Sequence, residues 1–184
     1  LFRSDLYHAF ALSTVGLMDK MNAIVDLSGL DVVDIGAGTG RSASGAAKKA
    51  KKVFAVDVYD SVVSFGKTQL KENGIENVEY LTGDRDNLPL KDSSVDAAIC
   101  AWAELNPREA YRVLKPNGYL IHMGSVPEAL CGELSSILAP DYPWIGKACA
   151  PSSLFDPGCP DSVSVADESV WCGISVAGPI QVHQ

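Results

Sequence analysis

The segment Val32-Val33-Asp34-Ile35-Gly36-Ala37-Gly38-Thr39-Gly40 constrains this chain more than any other. Its apolar, β-branched start reads as a buried strand. Glycines at alternate positions directly after it remove the side chains that would hold a ligand off the backbone. A helix opening beyond Gly40 would aim unpaired N–H groups and partial positive charge at whatever rests on the loop. Strand, glycine turn and helix in that order describe a nucleotide-type pocket. Two versions of such a pocket fail on spacing. A dinucleotide turn needs Gly-x-Gly-x-x-Gly, and the position three past Gly38 is Arg41. A phosphate-binding Walker loop needs Gly-Lys-Ser/Thr, which does not follow.

Later segments narrow the reading. Val53-Phe54-Ala55-Val56-Asp57 is a short apolar run closed by a carboxylate, one helix length after the glycines, as a βαβ crossover requires. Then come Val78-Glu79-Tyr80-Leu81-Thr82-Gly83-Asp84, the stretch Leu88-Pro89-Leu90 to Asp96, and Tyr111-Arg112-Val113-Leu114-Lys115-Pro116-Asn117-Gly118. With Asp34-x-Gly-x-Gly-x-Gly ahead of them, these motifs stand in one order from Val32 to Gly118. On them the chain resembles the class I S-adenosylmethionine-dependent methyltransferases. Departures are Leu90 and Val95 where phenylalanine is common, and Asn117 in place of a glycine.

The resemblance implies a cofactor, S-adenosyl-L-methionine, and a set of contacts. Gly36, Ala37 and Gly38, with Gly40 closing the loop, would pass under its methionine and sugar. Asp34 would order that loop and reach the amino group through water. Asp57 would grip the ribose, with Val58 beside the adenine. Asp84 would accept from the adenine amino group, and the Arg85 backbone N–H would meet a ring nitrogen. Cys100, Ala101 and Trp102 would lie near the methyl donor. The plainer readings are that Asp57 caps the next helix, Asp84 is a turn residue, and Trp102 is a core or rim aromatic.

The fold expected is α/β, a doubly wound, mostly parallel seven-stranded sheet in a single domain. Residues 1–28 read as an N-terminal helical segment, with Leu17, Met21, Ile24 and Val25 on one apolar face. Residues 29–124 read as the cofactor-binding core. Helices are expected over Ser42–Ala50, after an Asp60 N-cap up to Asn73-Gly74, and from Asn106-Pro107. Asp96–Trp102 and Tyr119–Met123 read as the fourth and fifth strands. Residues 125–184 hold a Pro/Gly-rich stretch from Ala139 to Pro160, then strand-like segments at Ser162–Val165 and Ile174–His183 that would finish the sheet. Ligands on such sheets bind at the carboxyl ends of the strands, at the switch point.

Length and composition bound the rest. The 184 residues suit one domain, and 47% hydrophobic with 21% charged residues is ordinary for a soluble globular protein. A net charge of −8 disfavours a nucleic-acid substrate, so the expected partner is a small molecule. Lys48, Lys49, Lys51 and Lys52 read as a solvated face at a helix end. The cysteines, five in number, include no C-x-x-C pair, which suggests neither a disulfide framework nor a metal site and fits a reduced cytoplasm. No apolar stretch is long enough to span a bilayer. The chain opens on Leu1, not Met, and is read as lacking its native start. Oligomeric state leaves no signature.

No catalytic residue is legible. His122 lies within a strand, where a hydrogen-bonded core histidine competes with a general base. Tyr7 and His8 sit in the N-terminal helix, where a surface role competes in the same way. Between Trp102 and Tyr111 only Ala103–Ala110 intervene, where the family has a longer acceptor-side loop and helix. Either that loop is deleted or a stretch is absent from this sequence. The alternatives are a methyltransferase-like domain that binds cofactor without catalysis, and a nicotinamide-dependent oxidoreductase, against which the glycine spacing argues.

Overall fold

The computed structural model describes residues 25–125, Met18, Asp19, Met21 and Asn22, and the backbone of Ser162–Asp167 and Cys172–Ala177. Strand β1 is Asp31–Ile35, helix α1 Arg41–Ala47, β2 Lys52–Asp57, α2 Asp60–Glu72 and β3 Val78–Thr82. Then follow β4 Val95–Ala101, α3 Pro107–Val113 and β5 Leu114–Ser125. These five strands form a parallel sheet in the order β3-β2-β1-β4-β5. The chain winds one way from β1 through β2 to β3, then returns to the other side of β1 for β4 and β5. The gap between β1 and β4 is therefore the switch point.

Both faces of the sheet are covered, which is why Val32, Val33 and Ile35 of β1 and residues 97–101 of β4 turn apolar side chains to both faces rather than alternating. On one face Val32, Val53, Ala55 and Ile99 pack with Ala43 and Ala46 of α1 and Val63 and Leu70 of α2. Met18, Met21, Val25 and Leu27 join that layer. The Asn22 Nδ2 donates to the Gly45 carbonyl at 3.1 Å, tying the N-terminal helical residues to α1. On the other face Val33, Ile35, Val56 and Cys100 pack with Ala110 and Val113 of α3. Leu17, Ile24 and most of the expected N-terminal helix lie outside the described residues, as do Tyr7 and His8 and the stretch 139–160.

Caps explain several boundaries. Asn106 accepts from the N–H groups of Arg108 and Glu109 ahead of Pro107, so α3 starts where the sequence places it. Asn73 closes α2, and Gly74 follows at φ 66°. Four expectations shift. The N-cap of α2 is Tyr59, and Asp60 is its first residue, with Oδ1 accepting from the Thr82 hydroxyl at 2.8 Å. Helix α1 ends at Ala47, ahead of the lysines. Lys48, Lys51 and Lys52 instead pair with Asp19, Asp31 and Glu79 at the surface. The fourth strand is Val95–Ala101, because Trp102 turns out of it at φ 53°. The fifth begins at Leu114: Leu114 pairs with Val95, the chain bulges through Asn117 at φ 64°, and Tyr119 resumes pairing opposite Ala97. Among the described residues, no helix is long and apolar enough to cross a membrane.

Candidate functional site

The glycine turn leaves β1 at the switch point and is fastened from three directions. Gly36 N–H and Ala37 N–H both donate to the Val56 carbonyl at 2.9 Å, docking the turn onto β2. Gly38 N–H donates to Asp57 Oδ2 at 2.9 Å. The Gly38 carbonyl accepts from the Tyr80 hydroxyl at 3.0 Å. Gly36, Gly38 and Gly40 have φ of 70°, 54° and 92°, a region costly to any residue with a Cβ. A Cβ on Gly36 would also stand 2.4 Å from the Ala103 methyl, so this glycine is required twice over.

A cavity of about 440 Å³, within the usual size for small-molecule sites, opens over this turn. Of the sequence-predicted residues, Gly36, Gly38, Asp57, Val58, Asp84 and Arg85 line it. Asp34, Ala37, Gly40 and Ala101 do not, and all four are buried. A larger hollow of about 610 Å³ lies beside α1 and the end of α2, and takes in Thr39 and Gly40 at the far end of the turn. Its size does not make it the site, because the glycine turn's bare backbone and the strand-end acids face the smaller one.

Each acid is placed differently. Asp57 uses one oxygen on Gly38 N–H and the other on Tyr59 N–H, at 2.9 and 3.0 Å. Each oxygen keeps a lone pair for a further donor. Asp84 is a turn residue as well as a lining one: its Oδ1 accepts from Asp86 N–H at 2.8 Å. Arg85 pairs across the cavity rim with Glu104, and Asp86 accepts from Asn106 Nδ2 at 2.8 Å, so the β3–β4 and β4–α3 loops are clasped together.

Asp34 is fully buried and neither carboxylate oxygen has a hydrogen bond of good geometry. Burial pushes its carboxyl up to about 7. The Arg41 guanidinium, Ala43 N–H and Ser42 hydroxyl lie near enough to oppose that rise, and Asp57 adds to it. The Ala43 N–H, in the first turn of α1, thus lies beside this buried acid.

Trp102 lines the cavity, and its ring carries the Arg41 guanidinium 4.1 Å from its centroid. Sequence reasoning treated Arg41 only as the residue that spoils a dinucleotide turn. Cys100 is wholly buried, burial pushes its thiol up to about 12, and its Sγ contacts the Ala103 carbonyl at 3.3 Å. It is inert. His122 is buried outside the cavity lining, and burial lowers its pKa. Arg112, read only as a motif letter, gathers the Leu88 and Leu90 carbonyls, Asp92 and Glu109 onto one guanidinium. Tyr80 was missed, although a lone glycine inside a helical pattern (Gly66) is a signal of close packing against some partner.

Comparison with known proteins agrees with this geometry. Residues 32–118 match the model of a methyltransferase domain. The ubiquinone/menaquinone biosynthesis C-methyltransferase of Bartonella tribocorum is 30% identical over 132 residues, 66% of this chain and 46% of that protein. The phosphoethanolamine N-methyltransferase 1 of Haemonchus contortus, solved with phosphoethanolamine and S-adenosylhomocysteine, is 26% identical with a TM-score of 0.54, covering 72% of this chain and 34% of that one. A SAM-dependent methyltransferase structure from Aquifex aeolicus shares the fold at a TM-score of 0.76 and 23% identity, covering 98% of this chain and 100% of that one. The chain spans about half the length of the curated relatives it matches. Over residues 32–118 the chain is similar to a methyltransferase domain, and it shares the fold of S-adenosylmethionine-dependent methyltransferase structures.

Proposed function

We propose that this chain catalyses methyl transfer from S-adenosylmethionine to a small-molecule acceptor. The observation that carries the reading is the glycine turn, bare toward a 440 Å³ cavity, with Gly38 N–H held on Asp57 at 2.9 Å. The residues present fit an adenosyl sulfonium. Gly38 offers backbone with no side chain of its own, and Gly36 does so with the Ala103 methyl beside it. Asp57, at the end of β2, offers two oxygens to a diol. Asp34, a buried carboxylate with no well-formed hydrogen bond, suits a nearby cation.

When bound, the cofactor supplies a methyl already activated on sulfur, so the protein's task is alignment. Asp57 would hold the ribose, Val58 would pack on the adenine, and Asp84 and the Arg85 N–H would address its edge. The clasp of Arg85 on Glu104 would stand at the rim on the adenine side. Among the described lining residues there is no His or Cys to serve as base. An acceptor whose carbon, nitrogen or thiolate is already nucleophilic at neutral pH would need little help from a base. The relatives named above act on different acceptors, so they do not choose one.

The two backbone segments beyond the core support a seven-stranded sheet. Cys172–Ala177 runs antiparallel to β5, with Leu120 opposite Ala177, and Ser162–Asp167 pairs outside it. A second reading, cofactor binding without catalysis, draws support from the short span Ala103–Ala110 and from Ala103 lying against Gly36. Calorimetry with S-adenosylhomocysteine, then a labelled-methyl screen over small nucleophilic acceptors, separates the readings. Micromolar binding with turnover supports the proposal, binding without turnover on any acceptor supports the second reading, and no binding overturns both.

A further inference from the structure

We infer that Tyr80 is a positioning residue that fixes the orientation of the Gly38 peptide, and through it the acid Asp57. The inference rests on the cofactor reading above and deepens it. Tyr80 is in β3, two strands from the glycine turn, and is 3% exposed. Its hydroxyl reaches the Gly38 carbonyl at 3.0 Å, across 42 residues of sequence. The peptide on the other side of the Gly38 Cα is gripped as well, where Gly38 N–H meets Asp57 Oδ2 at 2.9 Å. Glycine has little intrinsic resistance to a change of φ and ψ. What holds Gly38 at φ 54° is therefore this pair of opposed bonds.

The fold makes room for the ring at a cost elsewhere. A Cβ on Gly66 would lie 2.3 Å from Tyr80 Cζ, and one on Gly40 would lie 2.5 Å from the hydroxyl oxygen. Gly66 sits inside α2, where glycine is unfavourable to the helix by about 1 kcal/mol relative to alanine. A tyrosine that merely filled space would not need its oxygen aimed at the turn. A buried hydroxyl must find a partner, and this one takes the carbonyl of the residue whose N–H steadies Asp57. Without it the Gly38 carbonyl loses its partner in the interior, and rotating that peptide toward the cavity would relieve the loss. With ψ of Gly38 no longer held, φ drifts with it and the bond from Gly38 N–H to Asp57 weakens.

The test is Tyr80→Phe, which keeps the ring and removes only the oxygen. The expected result is S-adenosylhomocysteine binding about tenfold weaker by calorimetry, together with faster amide exchange at Gly38 in the ligand-free protein. Val113→Ala, a cavity on the opposite face of the sheet, is the control: it should lower the melting temperature at least as much and leave both readings unchanged. Unchanged affinity and unchanged Gly38 exchange in Tyr80→Phe would overturn the inference, as would an equal affinity loss in Val113→Ala. Failure of the wild-type protein to bind S-adenosylhomocysteine would instead sink the cofactor reading. The exchange measurement still decides Tyr80 in that case.

Discussion

Asp34→Asn should make the protein more stable at neutral pH and hardly more stable in acid. The native carboxyl keeps its proton up to about pH 7, whereas its ordinary value is 3.8. Below 3.8 the group is protonated in native and unfolded chains alike, and folding pays no ionisation penalty. As pH rises toward 7 the unfolded chain ionises first, and the native state loses stability relative to it. At 1.36 kcal/mol per pH unit, the upper bound of that loss is about 4 kcal/mol at pH 7.5 and about 1 kcal/mol at pH 4.5. Asparagine carries no charge at either pH, so it escapes the loss. Its amide hydrogens need partners of their own in a fully buried site, which lowers the absolute gain at both pH values equally. The pH-dependent difference of about 3 kcal/mol survives. Other titrating groups, including neighbouring Asp57, are present in both proteins and largely cancel. Urea unfolding of both proteins at pH 7.5 and pH 4.5 measures the difference directly. If the variant's advantage is the same at the two pH values, Asp34 is not a carboxyl whose ionisation is resisted by burial. The same substitution should weaken S-adenosylhomocysteine binding at pH 7.5, because a cation loses its buried counter-charge.

Three further outcomes follow from contacts described above. Asp57→Ala removes two acceptors from a diol as well as the Gly38 and Tyr59 anchors, and should weaken S-adenosylhomocysteine binding by about 2–3 kcal/mol, roughly 30- to 150-fold. A change under about threefold by calorimetry would take Asp57 out of the site. Gly36→Ala should cost about 2–3 kcal/mol in urea unfolding, from the left-handed backbone and the contact with Ala103 together; adding Ala103→Gly should recover only the contact, and a double variant no more stable than the single one would refute that contact. Arg112→Lys keeps the charge but loses the fork that gathers Leu88, Leu90, Asp92 and Glu109, so stability should fall by about 2 kcal/mol. Arg112 would have no structural role if unfolding midpoints of the two proteins coincide.

The parts of this protein that could be read from sequence are those set by neighbours in the chain. Val32, Val33 and Ile35 put apolar side chains on both faces because a central parallel strand is covered on both, and that leaves its mark in nearby residues. Gly36, Gly38 and Gly40 announce a left-handed turn because no other residue adopts it cheaply. Asn106-Pro107 and Asn73-Gly74 mark helix ends for equally local reasons. What the sequence left undecided depends on which strands lie side by side. The place of Asp34 before the glycines is plain in the sequence, but not that the fold buries it fully and lifts its carboxyl toward neutrality. Tyr80 looks like any core aromatic of a strand, and only the order β3-β2-β1 brings its hydroxyl beneath the turn. Arg112 and the Arg41–Trp102 stack are likewise assembled by strand order and helix placement. Backbone dihedral preference is a property of a few consecutive residues. Burial and long-range hydrogen bonding exist only once the sheet has set its register, so the tertiary structure alone decides them.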